Sequence, residues 1–171
     1  MTDTDSALRD ALAGIPRPWD PEDMQETLAA LHAVLDRFPD QALALAEVGG
    51  GYDTAGDGAA AARYYERALA AGLEGEDLRR VLLQYGSTLK NLGRLNESLR
   101  VLEGARARFP ESESLRAFHA LSLHAAGWSG TAVAELLLLA ADAVPTADLQ
   151  RYQRSIRGYA AELAGEDGPG T

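Results

Sequence analysis

Apolar residues recur at helical spacing through Leu82, Tyr85, Leu89 and Leu92, while Arg79, Arg80, Gln84, Ser87, Lys90 and Asn91 fall on other faces. The pattern predicts a helix ending at Gly93, since a helix terminus favours a left-handed residue without a β-carbon. A second stripe follows at Leu99, Leu102 and Ala105, with Asn96 as its N-cap candidate. Pro110 stops it, because the residue before a proline avoids helical geometry. The stretch 81–110 thus reads as helix, tight turn, helix. Two short antiparallel helices cannot bury both stripes alone, so the unit requires stacked neighbours.

Those neighbours are present. Arg37-Phe38-Pro39-Asp40 recurs as Arg108-Phe109-Pro110-Glu111, 71 positions later, which is two periods of 34 plus an insertion of three. Gly127 lies 34 positions after Gly93, and Gly56 lies 37 before it. Ala61, Tyr65 and Ala68 then align with Ser98, Leu102 and Ala105, and these with Ala132, Leu136 and Leu139. The extra residues fall in Gly72-Leu73-Glu74-Gly75, where a surface loop tolerates length.

A 34-residue helix–turn–helix period with small residues at fixed places resembles the tetratricopeptide-repeat family. The resemblance is carried by Gly86, Leu89, Gly93, Leu95, Ser98, Leu102, Ala105 and Pro110, and by Gly49, Tyr52, Gly56, Ala61, Tyr65 and Ala68 in the preceding unit. The run from Tyr64 to Arg94 is similar to a group of small bacterial proteins of that family. The resemblance implies an all-α fold, a right-handed α-α superhelix of about three helix-hairpin repeats. The repeats are expected at about 41–74, 78–111 and 112–145, after a half-repeat at 20–40 and before a capping helix at 146–164. One domain over 1–165 and a disordered tail at 166–171 complete the expected organisation.

The flanks and breaks add detail. Gly14-Ile15-Pro16-Arg17-Pro18-Trp19 is too proline-rich for a helix and is expected to run extended, with Trp19 packing over the open end of the first helix. Asp20, Pro21, Glu22 and Asp23 give a strong helix-start signal, ahead of a stripe at Met24, Leu28, Leu31, Val34 and Leu35. In Gly49-Gly50-Gly51, Gly49 suits a position of close helix packing. Gly50 and Gly51 each cost about 1 kcal/mol relative to alanine in a helix interior and are expected to mark a frayed or distorted helix end, the alternative being a place where a partner or ligand touches backbone. Leu136-Leu137-Leu138-Leu139 covers more than one helical face, pointing to burial under the last helix or to a self-association patch. The final helix carries Leu149, Tyr152, Ile156, Tyr159 and Leu163 on one face and Arg151, Arg154 and Arg157 on another.

Composition narrows the function. With 171 residues and 46% apolar content, a packed core is affordable; no cysteine is present, which removes disulfides, thiolate metal sites and cysteine nucleophiles. A formal charge of −10 argues against nucleic-acid binding, which draws on clustered lysine and arginine. The first residues place acids where a signal peptide carries basic residues, and no stretch reaches the roughly 18–20 apolar residues that span a bilayer. A cytoplasmic protein without membrane attachment is expected.

No chemistry-bearing constellation emerges. His119 and His124 are five apart, His32 is distant, and no acid stands at metal-ligand spacing from them. Ser87-Thr88 has no activating partner in sequence. No enzyme, cofactor or metal is expected. The first helix of each repeat is instead expected to line a concave groove, offering Arg80, Leu83, Gln84, Ser87, Lys90 and Asn91 from the middle unit. Ala46, Gly50 and Asp53 stand at the matching places before it, and Ala117, Leu121 and His124 after it. Basic and amide groups in an acidic protein suit the carboxylates or backbone of an extended peptide or partner helix. The lysine–asparagine clamp of chaperone-binding repeats does not carry over, because Ala46 and Gly50 stand in its first-unit places. An adaptor for a protein or peptide partner is the expected function. The alternative is a self-associating module, such as a homodimer, built on Trp19, the leucine run or the last helix.

Overall fold

Helix ends recur where the period requires them. In the computed structural model, which describes residues 3–166, the three period markers Gly56, Gly93 and Gly127 have φ of 81°, 74° and 91°. That left-handed conformation is strained for any residue with a β-carbon, which is why glycine holds the place. The repeated Arg-Phe-Pro string also adopts a repeated conformation. Phe38 and Phe109 both end helices, at φ −134°, ψ 59° and φ −128°, ψ 67°, and each is overlain by the preceding arginine's guanidinium, at 5.3 and 5.9 Å.

Ten helices result among the described residues, with no strand. They are α1 (Asp3–Ala13), α2 (Gln25–Arg37), α3 (Ala42–Thr54), α4 (Gly58–Ala71), α5 (Gly75–Asn91), α6 (Leu95–Arg108), α7 (Glu113–Ala125), α8 (Ser129–Ala143), α9 (Ala147–Arg151) and α10 (Gln153–Glu166). The chain divides into two compact units between Leu92 and Gly93. In the first, α2 packs on α3, α3 on α4, and α5 on both α3 and α4. Its core gathers Leu31, Val48, Tyr65, Val81 and Leu89, all essentially removed from water. In the second, α7 packs between α6 and α8, and α10 covers α8. Leu102 and Leu115 are fully buried there beside a hydroxyl pair, Ser98 Oγ and Ser122 Oγ, 2.9 Å apart.

The glycine triplet is not a frayed end. Gly49, Gly50 and Gly51 are helical and buried within α3. A β-carbon on Gly49 would lie 2.8 Å from Tyr65 Cδ1, and one on Gly51 would lie 2.7 Å from Leu31 Cδ1. Both distances are far inside van der Waals contact, so the loss of helix propensity is offset by the close approach of α4 and α2. Gly50 lies under the indole of Trp19, as described below.

Several local expectations are corrected. Asp20 does not cap α2; its Oδ1 accepts from Glu22 N at 3.0 Å, and Asp23 N donates to Asp20 O, so 20–23 form a turn and the helix begins at Gln25. Asn96 lies inside α6, whose N-cap is Arg94; an Arg94–Glu97 ion pair, Nε to Oε1 at 2.8 Å, braces that turn. The buried stripe of α5 includes Leu78, Val81, Tyr85, Thr88 and Leu89, so Tyr85 and Leu89 of the expected stripe are buried, while Leu82 is only half-buried and Leu92 is exposed. The last helix is broken at Tyr152, where Tyr152 N donates to Leu149 O. The break resets the helical phase, so Ile156, Ala160 and Leu163 turn inward while Tyr152 and Tyr159 are exposed. Gly165 and Glu166 belong to α10, and the remainder of the expected tail lies outside the described residues.

Candidate functional site

Glu47 is an acid in an otherwise apolar stretch of α3, Ala42-Leu43-Ala44-Leu45-Ala46-Glu47-Val48, and it is only 5% exposed. A carboxylate at such depth is costly unless paired. Two guanidiniums pair it. Arg80 Nη2 of α5 donates to Oε1 at 2.6 Å, and Arg17, from the non-helical segment between α1 and α2, donates to Oε2. Arg17 also lies over the Trp19 indole, with Cζ 4.0 Å from the ring centroid. The indole in turn rests across α3 at Gly50, where a β-carbon would sit 3.6 Å from Cζ3. The segment 15–19 therefore forms a strap fastened to α3 at Glu47 and Gly50, with Ile15 buried beside it. Trp19 covers the middle of α3, rather than the open end of the first helix.

The strap, α3 and α5 border an open cavity of about 480 Å3, lined by Arg17, Pro18, Trp19, Gly50, Thr54, Arg80 and Gln84. Two of these residues keep a buried polar atom, the donor Trp19 Nε1 and the acceptor Gln84 Oε1, with no hydrogen-bond partner among the described residues. Tyr65 Oη, which a β-carbon on Gly50 would approach to 3.9 Å, is likewise unpartnered. Burial raises the pKa of the Tyr65 hydroxyl well above its ordinary value, with the nearby Asp53 charge adding to the effect.

Asp53 is a second acid on α3, and Thr88 Oγ1 of α5 donates to its Oδ1 at 2.9 Å. Burial raises its carboxyl above the usual range, and the hydrogen bond only partly opposes this. The folded protein therefore binds the Asp53 proton more tightly than the unfolded chain does, so stability falls as pH rises through that interval, and the cost persists at neutral pH. Asp53→Asn, which keeps an acceptor for Thr88, is expected to raise the urea midpoint at pH 7. The gain should shrink as pH falls towards the carboxylate range, and a midpoint unchanged or lowered at pH 7 would contradict it.

The eight groove residues expected from sequence divide between the two units. In the first, Arg80 and Gln84 meet at the cavity, but Arg80 is engaged by Glu47 and, at 3.9 Å, by Asp77, so it acts as a structural cation as well. Leu83, Ser87 and Lys90 are half-buried along α5, and Asn91 is exposed at its end. In the second, Leu121 and His124 are exposed on α7, and His124 Nδ1 shares a hydrogen bond with Ser129 Oγ at 3.0 Å.

His119 has the acid partner that sequence spacing did not reveal. Its Nδ1 lies 2.9 Å from Glu135 Oε2 of α8, and Arg106 Nη1 of α6 donates to Glu135 Oε1 at 2.6 Å. Burial would raise Glu135, but His119 and Arg106 outweigh it and hold the carboxyl below its ordinary range. The trio ties α6, α7 and α8 together. Among the described residues no group of three or more histidines, cysteines and acids is placed to hold a metal ion. No described helix is long and apolar enough to cross a membrane.

Arg17, Trp19, Glu47 and Thr54 were not among the expected groove residues. The signals for them were the lone acid in an apolar helix and the unexplained second and third glycines. Each indicates that something approaches α3 closely, and neither says from where.

Residues 42–163 match a family model described as Tetratrico peptide repeat. No curated protein matches the sequence.

Proposed function

The chain belongs to the tetratricopeptide-repeat family, whose members generally mediate protein–protein interactions, and from that premise we propose that it is a cytoplasmic, non-catalytic adaptor holding an extended peptide or partner helix along the polar face of α5. Arg80, Gln84, Ser87, Lys90 and Asn91 supply the polar contacts, and Leu83 an apolar one. The observation that carries this reading is Gln84, which lines an open cavity together with Arg80 and keeps its Oε1 buried without a hydrogen-bond partner; the cavity is large enough for part of a peptide. Once a rotation of the Gln84 side chain exposes it, such an acceptor gains a bond to an arriving backbone N–H without first giving up a protein partner.

Lys90→Glu is expected to lower capture of the native partner from cell extract at least tenfold while leaving the thermal midpoint unchanged, since Lys90 lies outside the buried stripe. Equal capture by both proteins would remove the α5 face from consideration. Self-association is favoured by a separate observation. Val133 and Leu136, one turn apart on α8, are 47% and 41% exposed. Sedimentation at several concentrations separates the two readings, because a tight symmetric oligomer would favour the second.

A further inference from the structure

The strap binds α3 as a ligand would. Its contacts come from two side chains two positions apart, an arginine on a buried carboxylate and an indole on a glycine floor. The helical surface beneath is shaped for them. Glu47 lies in an apolar run where an unpaired acid would be costly, and Gly50 leaves out the side chain that would displace the ring. The cis fit is incomplete, however. Trp19 and Gln84 both line the cavity and each keeps a buried atom, Nε1 and Oε1, without a hydrogen-bond partner, and Arg17 is about half exposed, with 54% of its side chain accessible. Arg80 gives Glu47 a second cation of its own, so the acid stays paired when Arg17 leaves.

We propose that the Glu47–Gly50 surface is a recognition site for an extended peptide bearing an arginine two residues before a tryptophan. The chain's own segment 15–19 is its tethered occupant, which such a partner must displace. The inference rests on the adaptor reading above and specifies the chemistry of the partner. The glycine floor selects a flat aromatic ring, since nothing projects from it to contact a smaller side chain. Glu47 selects a guanidinium, which can reach a recessed carboxylate and stack on the neighbouring indole at the same time. A peptide that also hydrogen-bonds Gln84 Oε1 satisfies an atom that the strap leaves unpaired.

A tethered occupant has an effective concentration on the order of mM. If the open site binds its peptide with a Kd of about 100 μM, the strap weakens trans binding about tenfold in the intact chain. The test uses a fluorescently labelled peptide of residues 13–20 titrated against the full-length protein and its Arg17→Ala/Trp19→Ala variant, read by anisotropy. The variant is expected to bind at least tenfold more tightly than wild type, and a peptide with its tryptophan replaced by alanine is expected to bind neither. Should the double variant lose helical circular dichroism, Trp19→Ala alone gives the same comparison.

A folded variant that ignores the peptide, or binds it no better than wild type does, makes the strap a fixed part of the fold and overturns the inference. Concentration-dependent dimers of wild type that vanish in the variant would also overturn it, because the site would then serve strap exchange between copies. Lys90-dependent capture persisting beside a failed peptide titration overturns this inference alone. Failure of both removes the adaptor reading as well.

Discussion

Tyr65→Ala is expected to lower stability by about 3–5 kcal/mol, the range for deleting a buried aromatic ring. Tyr65 is fully buried, and its ring meets α3 at Gly49 and α5 through an edge contact with Tyr85, centroid to centroid 6.4 Å. No side chain can flow into the space it leaves at Gly49. Tyr65→Phe should behave in the opposite way. The hydroxyl is buried without a hydrogen bond, so removing it relieves a desolvation cost of about 1–3 kcal/mol and breaks no bond. The expected result is a midpoint in urea equal to or above wild type for phenylalanine and far below it for alanine, followed by helical circular dichroism. A phenylalanine variant as damaged as the alanine variant would mean that the hydroxyl has an essential partner.

The second large effect is expected at the buried acid. Arg17→Ala/Arg80→Ala removes both cations from Glu47 and strands a carboxylate that is 5% exposed. Breaking a buried pair in this way costs about 3–5 kcal/mol, more than the pair itself contributes, because the remaining charge has lost its water and its partner together. Adding Glu47→Gln to the double variant should recover most of the loss, since a neutral amide is far cheaper to bury. The same urea series checks both, and a triple variant no more stable than the double would show that the arginines act through packing and not through Glu47.

The repeat architecture was legible because it is local. Gly56, Gly93 and Gly127 need positive φ, and the two Arg-Phe-Pro strings end helices in the same way, so residues a few positions apart fix each hairpin. The site was legible only in part. Arg80 and Gln84 could be placed on one polar face of α5 from spacing alone, and they do line one cavity. Glu47 could not, because its partners lie 30 and 33 residues away in sequence and nothing local specifies them. The core place of Thr88 was not legible, because a polar residue fits there only through hydrogen bonds of its one hydroxyl, shared between Asp53 and the Gln84 carbonyl. The break at Tyr152 was missed because neither proline nor glycine marks it.

Gly50 also bears on how this chain can drift. Every single-base change that replaces this glycine with another residue adds a side chain beneath the indole. Alanine is the one harmless exit: its methyl would stand 3.6 Å from Cζ3, an ordinary contact, and it would strengthen α3 by about 1 kcal/mol. Any bulkier replacement would pry Trp19 loose. A bulkier residue at position 50 would thus do two things at once, displacing the indole and filling the floor on which any other ring could rest.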